Sequence, residues 1–305
     1  MTQTLRFLGT DVHPCAFDQA RVVVLPIPYE GTVSYLHGAS QGPGAVLAAS
    51  DQLEMYDDEL DLNPDQAGVF TLPPVAALPQ PEDMMKAIHQ AALPSLRAGK
   101  LLLGLGGEHS VSYGLFTAHL EAGTAGAPGQ PFSVLQIDAH GDLRQEYHGS
   151  PFSHACIMAR ALDLGLSLVQ VGIRAVCQEE RNLLRSRGLE ENVFWARTIA
   201  AQTDDRWMDQ VIARLGPKVY ITVDVDGFDP SVFPGTGTPV PGGLGWHQGL
   251  RLLRKVAQAR RVIGMDIVEV SPQPPAVISE FNAALLAYKM IGYALEQELR
   301  VKGSK

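Results

Sequence analysis

The run FSVLQIDAHGDLR (Phe132–Arg144) decides how this chain is read. Its first six residues, FSVLQI, form an apolar run that reads as a buried strand. Asp138, His140 and Asp142 follow at alternate positions. Successive side chains on a strand point to opposite faces, so a continued strand would put all three groups on one side. Adjacent buried carboxylates repel each other unless a positive charge compensates them. A bound cation is the compensation this spacing suggests.

Working outward, similar strands recur: Val22–Ile27, Leu101–Leu105, Leu168–Ile173, Val219–Val225 and Val262–Val268. Short continuous runs of Val, Ile and Leu predict strands covered on both faces. Helices are predicted between them, over Pro81–Ala98, Ser110–Ala122, Gln178–Arg187, Asp204–Leu215 and Trp246–Ala259. A long one follows over Ser279–Arg300, with Ser279 as its N-cap. Gly104–Gly107 and PGTGTPVPGG (Pro234–Gly243) read as loops. This alternation predicts an α/β fold with a mostly parallel sheet, in one domain over residues 1–305. Ligands in such sheets gather beyond the C-terminal strand ends.

The 305 residues are 46% hydrophobic and 19% charged, a globular composition with enough chain for a sizeable core. A net charge of −9 argues against general affinity for nucleic acid or an anionic membrane, and would suit a cationic substrate. Cys15, Cys156 and Cys177 are scattered and odd in number, which argues against a disulfide framework or a thiolate zinc site. No signal-peptide pattern or bilayer-length apolar run is evident, so the expected compartment is a reducing cytoplasm.

Two further elements answer the first. VYITVDVDGFD places Asp224 and Asp226 two apart at another strand end, with Asp229 in the loop beyond. GLGGEHS places His109 just after the Leu101–Leu105 strand, at a helix start. His109, Asp138, His140, Asp142, Asp224 and Asp226 are too many ligands for one four-coordinate zinc. Four carboxylates and two imidazoles suit two divalent ions, Mn²⁺ before softer metals, with nickel, zinc and iron left open.

These elements resemble the ureohydrolase family, which includes arginase, agmatinase, guanidinobutyrase and formimidoylglutamase. The resemblance runs through LPIPYEGTVSYLHGASQGPGAVLAAS (Leu25–Ser50), GGEHS, DAHGD, VDVDGFDPSVFPGTGTPVPGGL and MDIVEVSP (Met265–Pro272). It implies a three-layer α/β/α domain with an eight-stranded, mostly parallel sheet, a pair of Mn²⁺ ions and a homotrimer or hexamer. It implies one ion on His109, Asp138, Asp142 and Asp224, and the other on His140, Asp138, Asp224 and Asp226. A metal-bridging hydroxide would then attack a guanidinium carbon. The leaving amine needs a proton donor. His154, in EYHGSPFSHAC, fits the family spacing for that role better than His148, which reads as a loop residue or a wall of the substrate site.

Glu269 is the expected guanidinium partner, because a carboxylate can pair with both N–H groups of that fork. Asp266 reads either as the partner of a ligand histidine or as a strand-end hydrogen-bond acceptor. The loop LRQEYHGSPFSH lacks the Ser/Asn/Thr pattern of arginases, which argues against L-arginine. The expected substrate is a small cationic guanidino compound, agmatine first, with N1-aminopropylagmatine and 4-guanidinobutyrate as alternatives. Tyr35, Glu146 and Tyr147 could receive a distal ammonium. Arg144 could clamp a carboxylate, but pairing with Glu146 or near Asp142 is the more routine use. Thr222 stands where the family has Ser, Glu108 where many members have Asp, and an aspartate often found after VEVSP is missing. A phosphoesterase would want more cationic clamps than Arg144 supplies. A non-catalytic binding protein on this fold would be expected to have lost ligands, and all six are present.

Overall fold

The computed structural model describes residues 5–10 and 12–303. Eight strands form one sheet: β1 (Val22–Ile27), β2 (Val69–Thr71), β3 (Leu101–Gly106), β4 (Ser133–Ile137), β5 (Ser167–Ile173), β6 (Val193–Trp195), β7 (Lys218–Asp224) and β8 (Arg261–Val268). Every pairing is parallel, in the order β2-β1-β3-β8-β7-β4-β5-β6. The helices are α1 (Gly42–Ala49), α2 (Pro81–Arg97), α3 (Ser112–Ala122), α4 (Ile157–Asp163), α5 (Gln178–Ser186), α6 (Ala196–Ala200), α7 (Arg206–Arg214), α8 (Trp246–Ala259) and α9 (Ile278–Gly303).

Strand alternation divides the apolar residues into two cores. Val22, Val24, Leu103, Ile221 and Val223 pack against α1, α7, α8 and α9 through Val46, Trp207, Leu252 and Ile291. Val23, Leu25, Leu102, Val134 and Tyr220 face α2, α3, α4 and α5 through Ile88, Phe116, Met158 and Leu184. With both faces covered, the central strands are apolar at most positions, which is why they read as nearly continuous runs. The architecture is the three-layer α/β/α fold expected. Among the described residues, no helix is long and apolar enough to cross a membrane.

Five short elements lie outside the sequence reading: β2 and β6, three residues each at the sheet edges, and α1, α4 and α6. They are too short for a period to register, and α1 opens on Gly42-Pro43, which reads as a loop. Ser279 corrects one expectation. It lies inside α9, and its hydroxyl accepts the Gly235 N–H at 2.7 Å, tying the helix to the 234–243 loop.

The order sets the site. The chain leaves β3 for β4, and β7 and β8 later fill the gap between them. The C-terminal ends of β3, β8, β7 and β4 therefore stand side by side, and each leads into one or more of the expected site residues.

Candidate metal centre

The six residues singled out for metal do converge, but not by strand alternation. β4 ends at Ile137, and the chain turns at once. Asp138 Oδ1 accepts the His140 N–H at 2.6 Å, and Asp142 takes a left-handed backbone with φ 52°. At the end of β7, Asp224 Oδ1 likewise accepts the Asp226 N–H at 2.9 Å and caps the 3-10 turn Val225–Gly227. In each case a carboxylate folds the backbone with one oxygen and presents the other to the site.

Two groups of side chains could each hold a cation: His109, Asp138 and Asp142, and Asp138, His140 and Asp226. Asp138 belongs to both. His109 Nδ1 lies 3.0 Å from Asp138 Oδ2, 3.1 Å from Asp142 Oδ2 and 3.5 Å from Asp224 Oδ2. His140 Nδ1 lies 3.0 Å from Asp226 Oδ2 and 3.6 Å from Asp138 Oδ1. All except the partly exposed His140 are buried.

The surroundings of His109 test whether the cluster fits a cation. Its Nε2 lies 2.8 Å from Thr222 Oγ1, and that hydroxyl donates to Asp266 Oδ1 at 2.6 Å. Asp266 also accepts the Tyr220 hydroxyl at 2.8 Å. Thr222 gives its one proton to a carboxylate, so His109 must donate through Nε2. The Nδ1 of the neutral ring then carries a lone pair, is buried without a hydrogen-bond partner, and faces three carboxylates. A cation is the species that satisfies all four groups together. Asp266 thus serves His109, through Thr222 rather than directly.

Without a cation the cluster is charge-imbalanced. Burial, then the charge of Asp138, pushes the Asp142 carboxyl up to about 7. Burial and the charges of Asp226 and Asp138 also raise Asp224 well above the usual carboxylate range. Burial alone would depress the His140 imidazole, but Asp226 and Asp138 outweigh it and raise the pKa to about 12. His109 is raised for the same reason, against burial, by Asp138, Asp142 and Asp224. Each shift follows from carboxylates and imidazoles crowded out of water, the setting in which a cation displaces protons.

The centre opens into a cleft of about 440 Å³, lined further out by Val33, Tyr35, Leu36, Ala155 and Val176. Glu269 follows β8 with φ 64°, a left-handed backbone unusual for glutamate. Its Oε1 accepts the His109 N–H at 2.7 Å, and the residue lines the cleft. Burial and the charge of Glu108 raise its pKa to about 8. His154 also lines the cleft, half-buried, and burial pushes its pKa down to about 4. His148 does not reach the cleft: it is exposed and stacks on Tyr147 with ring centroids 4.1 Å apart.

Arg144 lines the cleft with its guanidinium 4.9 Å from the Tyr147 ring centre. No ion pair between it and a carboxylate is formed among the described residues, so the expected pairing with Glu146 is corrected to an aromatic contact. Tyr35 and Tyr147 border the cleft, whereas Glu146 is exposed outside it. Asp229 takes no part: its oxygens accept the N–H groups of Ser231 and Gly242 and close the following loop.

Sequence reasoning missed several contributors. Gln136 on β4 donates to Asp138 Oδ2 at 2.7 Å, and Gln170, opposite it on β5, donates to Gln136 Oε1 at 2.6 Å. Their signal was a buried-strand run interrupted by a polar residue, in SVLQI and in SLVQVGI. Arg174 donates to the carbonyls of Asp226, Phe228 and Val240 at 2.6, 3.2 and 2.6 Å, and fastens the loop that carries Asp226. Thr32 and Glu108 shape the His154 side of the cleft.

Comparison with known proteins adds four findings. A model described as the Arginase family matches residues 20–292. An N(1)-aminopropylagmatine ureohydrolase of Synechocystis sp. is 45% identical over 286 residues, 91% of this chain and 90% of that protein. An agmatinase of Pyrococcus horikoshii is 31% identical over 291 residues, 95% of this chain and 97% of that one. The solved agmatine ureohydrolase of Thermoplasma volcanium is similar in fold with a TM-score of 0.84 at 28% identity, over 97% of each chain.

Proposed function

The chain belongs to the arginase family, and from that premise we propose that it hydrolyses N1-aminopropylagmatine, releasing urea and a polyamine. The observation that carries the substrate choice is the 45% identity to a protein of that name, against 31% to an agmatinase. The apolar outer wall of Val33, Leu36, Ala155 and Val176 supports it, because a long methylene chain needs such a lining. Agmatine, the shorter homologue, is the second reading, favoured by the fold likeness to an agmatine ureohydrolase.

His109, Asp138 and Asp142 would hold one divalent cation and Asp138, His140 and Asp226 the other, with Asp224 beside His109. The oxygen-rich donor set with two imidazoles favours Mn²⁺. When bound, such a pair polarises water so that it is an effective nucleophile near neutral pH. Glu269 binds the guanidinium through the N–H groups of its fork and aligns the central carbon over the cluster. Water's oxygen joins that carbon, the bond to the substituted nitrogen breaks, and urea leaves with the amine. His154 carries a proton to the departing nitrogen, since an amide-like anion is too poor a leaving group.

Urea release from protein reconstituted with Mn²⁺ tests this across N1-aminopropylagmatine, agmatine, L-arginine, 4-guanidinobutyrate and guanidine. We expect the largest kcat/KM for N1-aminopropylagmatine. A larger value for agmatine supports the second reading. Turnover confined to arginine or 4-guanidinobutyrate overturns both.

A further inference from the structure

The ring of His154 is held along one edge. Thr32 Oγ1 accepts the His154 backbone N–H at 3.0 Å and lies 3.2 Å from its Nδ1. Ser153 Oγ stands 3.4 Å from the same nitrogen. The proton of the Thr32 hydroxyl is committed elsewhere. Oγ1 donates to Glu108 Oε1 at 2.7 Å, and the Thr32 N–H donates to Glu108 Oε2 at 2.6 Å. Ser110 Oγ donates to Glu108 Oε1 at 2.6 Å and keeps that carboxylate in place. Glu108 is fully buried and immediately precedes the candidate ligand His109.

A carboxylate only accepts hydrogen bonds, so Thr32 has no proton left for His154. The hydrogen between Thr32 Oγ1 and Nδ1 therefore belongs to the imidazole. Nε2 is left as a lone pair, 3.4 Å from Ser34 Oγ, which also lines the cleft.

We propose that Thr32, clamped by Glu108, is a positioning residue that fixes His154 as the Nδ1–H tautomer and makes Nε2 the atom that exchanges protons with the substrate. The proposal rests on the reading of His154 as the proton carrier. Once water's oxygen has joined the guanidine carbon, the adduct's O–H proton passes to Nε2. It is then delivered to the substituted nitrogen as the C–N bond breaks. The oxygen keeps the freed electron pair as the C=O of urea, and the amine leaves neutral. His154 ends as it began, ready for the next turnover. One short chain, Glu108–Thr32–His154, thus links the segment that carries a metal-site histidine to the group that moves the proton.

The tautomer can be read directly. Long-range ¹H–¹⁵N correlation on the metal-free protein near pH 7.5, assigned with His154→Ala, is expected to show a protonated Nδ1. A protonated Nε2 overturns the proposal. Kinetics give a second readout. With Mn²⁺ loaded, Thr32→Val is expected to lower kcat about 10- to 100-fold, part of the ~10²–10⁴ that a placed acid–base group supplies. KM and Mn²⁺ stoichiometry should hold, and Thr32→Ser should restore kcat. Parental kcat in Thr32→Val, or equal losses in the Val and Ser variants, overturns the positioning role. Parental kcat in His154→Ala overturns the reading of His154 itself, a separate outcome.

Discussion

Thr222→Val isolates the link between Asp266 and His109. Valine matches threonine in shape, so the change removes two hydrogen bonds and leaves packing almost untouched. The bonds lost are His109 Nε2–H to Thr222 Oγ1 at 2.8 Å and Thr222 Oγ1–H to Asp266 Oδ1 at 2.6 Å. All three residues are fully buried, so water cannot replace either partner. Each orphaned group costs ~1–3 kcal/mol, and the metal-free protein should lose about 2–5 kcal/mol of stability. The second effect is on the cation. Nothing then obliges His109 to carry its proton on Nε2, and part of the population turns an N–H toward the carboxylates. Loss of a hydrogen-bond partner behind a ligand histidine typically weakens metal binding ~10–100-fold. The weakening should fall on one of two bound ions, the one held by His109. Titration of metal-free protein with Mn²⁺, followed by the electron paramagnetic resonance signal of free Mn²⁺, separates the two affinities. Thr222→Ser should recover both stability and affinity. If Thr222→Val binds two ions with parental affinities, the tautomer argument is wrong and His109 is oriented by packing alone.

Gln136→Met removes the amide that donates to Asp138 Oδ2 at 2.7 Å, within the carboxylate cluster. We expect Mn²⁺ binding to weaken ~10-fold or more while the far-ultraviolet circular dichroism stays parental; unchanged affinity would show that the amide only fills space. His119 carries a different prediction, about stability and pH. It is fully buried, and burial pushes its pKa down to about 3. The folded state keeps it neutral, whereas the unfolded chain takes up a proton near the ordinary value of ~6.5. Between those limits the unfolded state binds more protons, so stability falls as pH falls, by ~1.4 kcal/mol per unit from this group. Urea melts at pH 7 and pH 5.5 should show a shallower loss in His119→Gln than in the parent, and parallel losses would exclude His119 as the cause.

The central strands were legible because both their faces are buried, which makes Val22–Ile27 and Leu101–Gly106 apolar at every step. The edge strands were not. At three residues each, Val69–Thr71 and Val193–Trp195 owe their conformation to β1 and β5 rather than to their own pattern. The candidate site divides the same way. Asp138, His140 and Asp142 stood out because charged groups crowd the end of an apolar run. Why they converge was misread: the turns closed by Asp138 and Asp224 gather them, not strand alternation. Glu269 and Asp266 both reach His109, one through its backbone N–H and the other through Thr222 and the ring. Three positions apart, they would lie on opposite faces by strand alternation alone. Gln136 and Gln170 carry no motif, and Thr32 is one residue of the Leu25–Ser50 stretch with nothing local to mark it; their roles exist only where β4 meets β5 and where the loop after β1 meets Glu108 and His154.

The sequence by itself determined the α/β class, the strands that carry the candidate ligands and the identity of the charged residues at their ends. Those are local properties, written in runs of apolar residues and in the polar groups that interrupt them. Tertiary structure alone decided that β7 and β8 lie between β3 and β4. That order brings His109, Glu269, Asp224 and Asp138 from distant parts of the chain to one edge of the sheet. It also put His154, already preferred on family spacing, in the cleft lining, and gave His109 a single tautomer. The physical reason is that a hydrogen bond depends on distance and direction in space, and positions far apart in the chain acquire these only when the sheet closes.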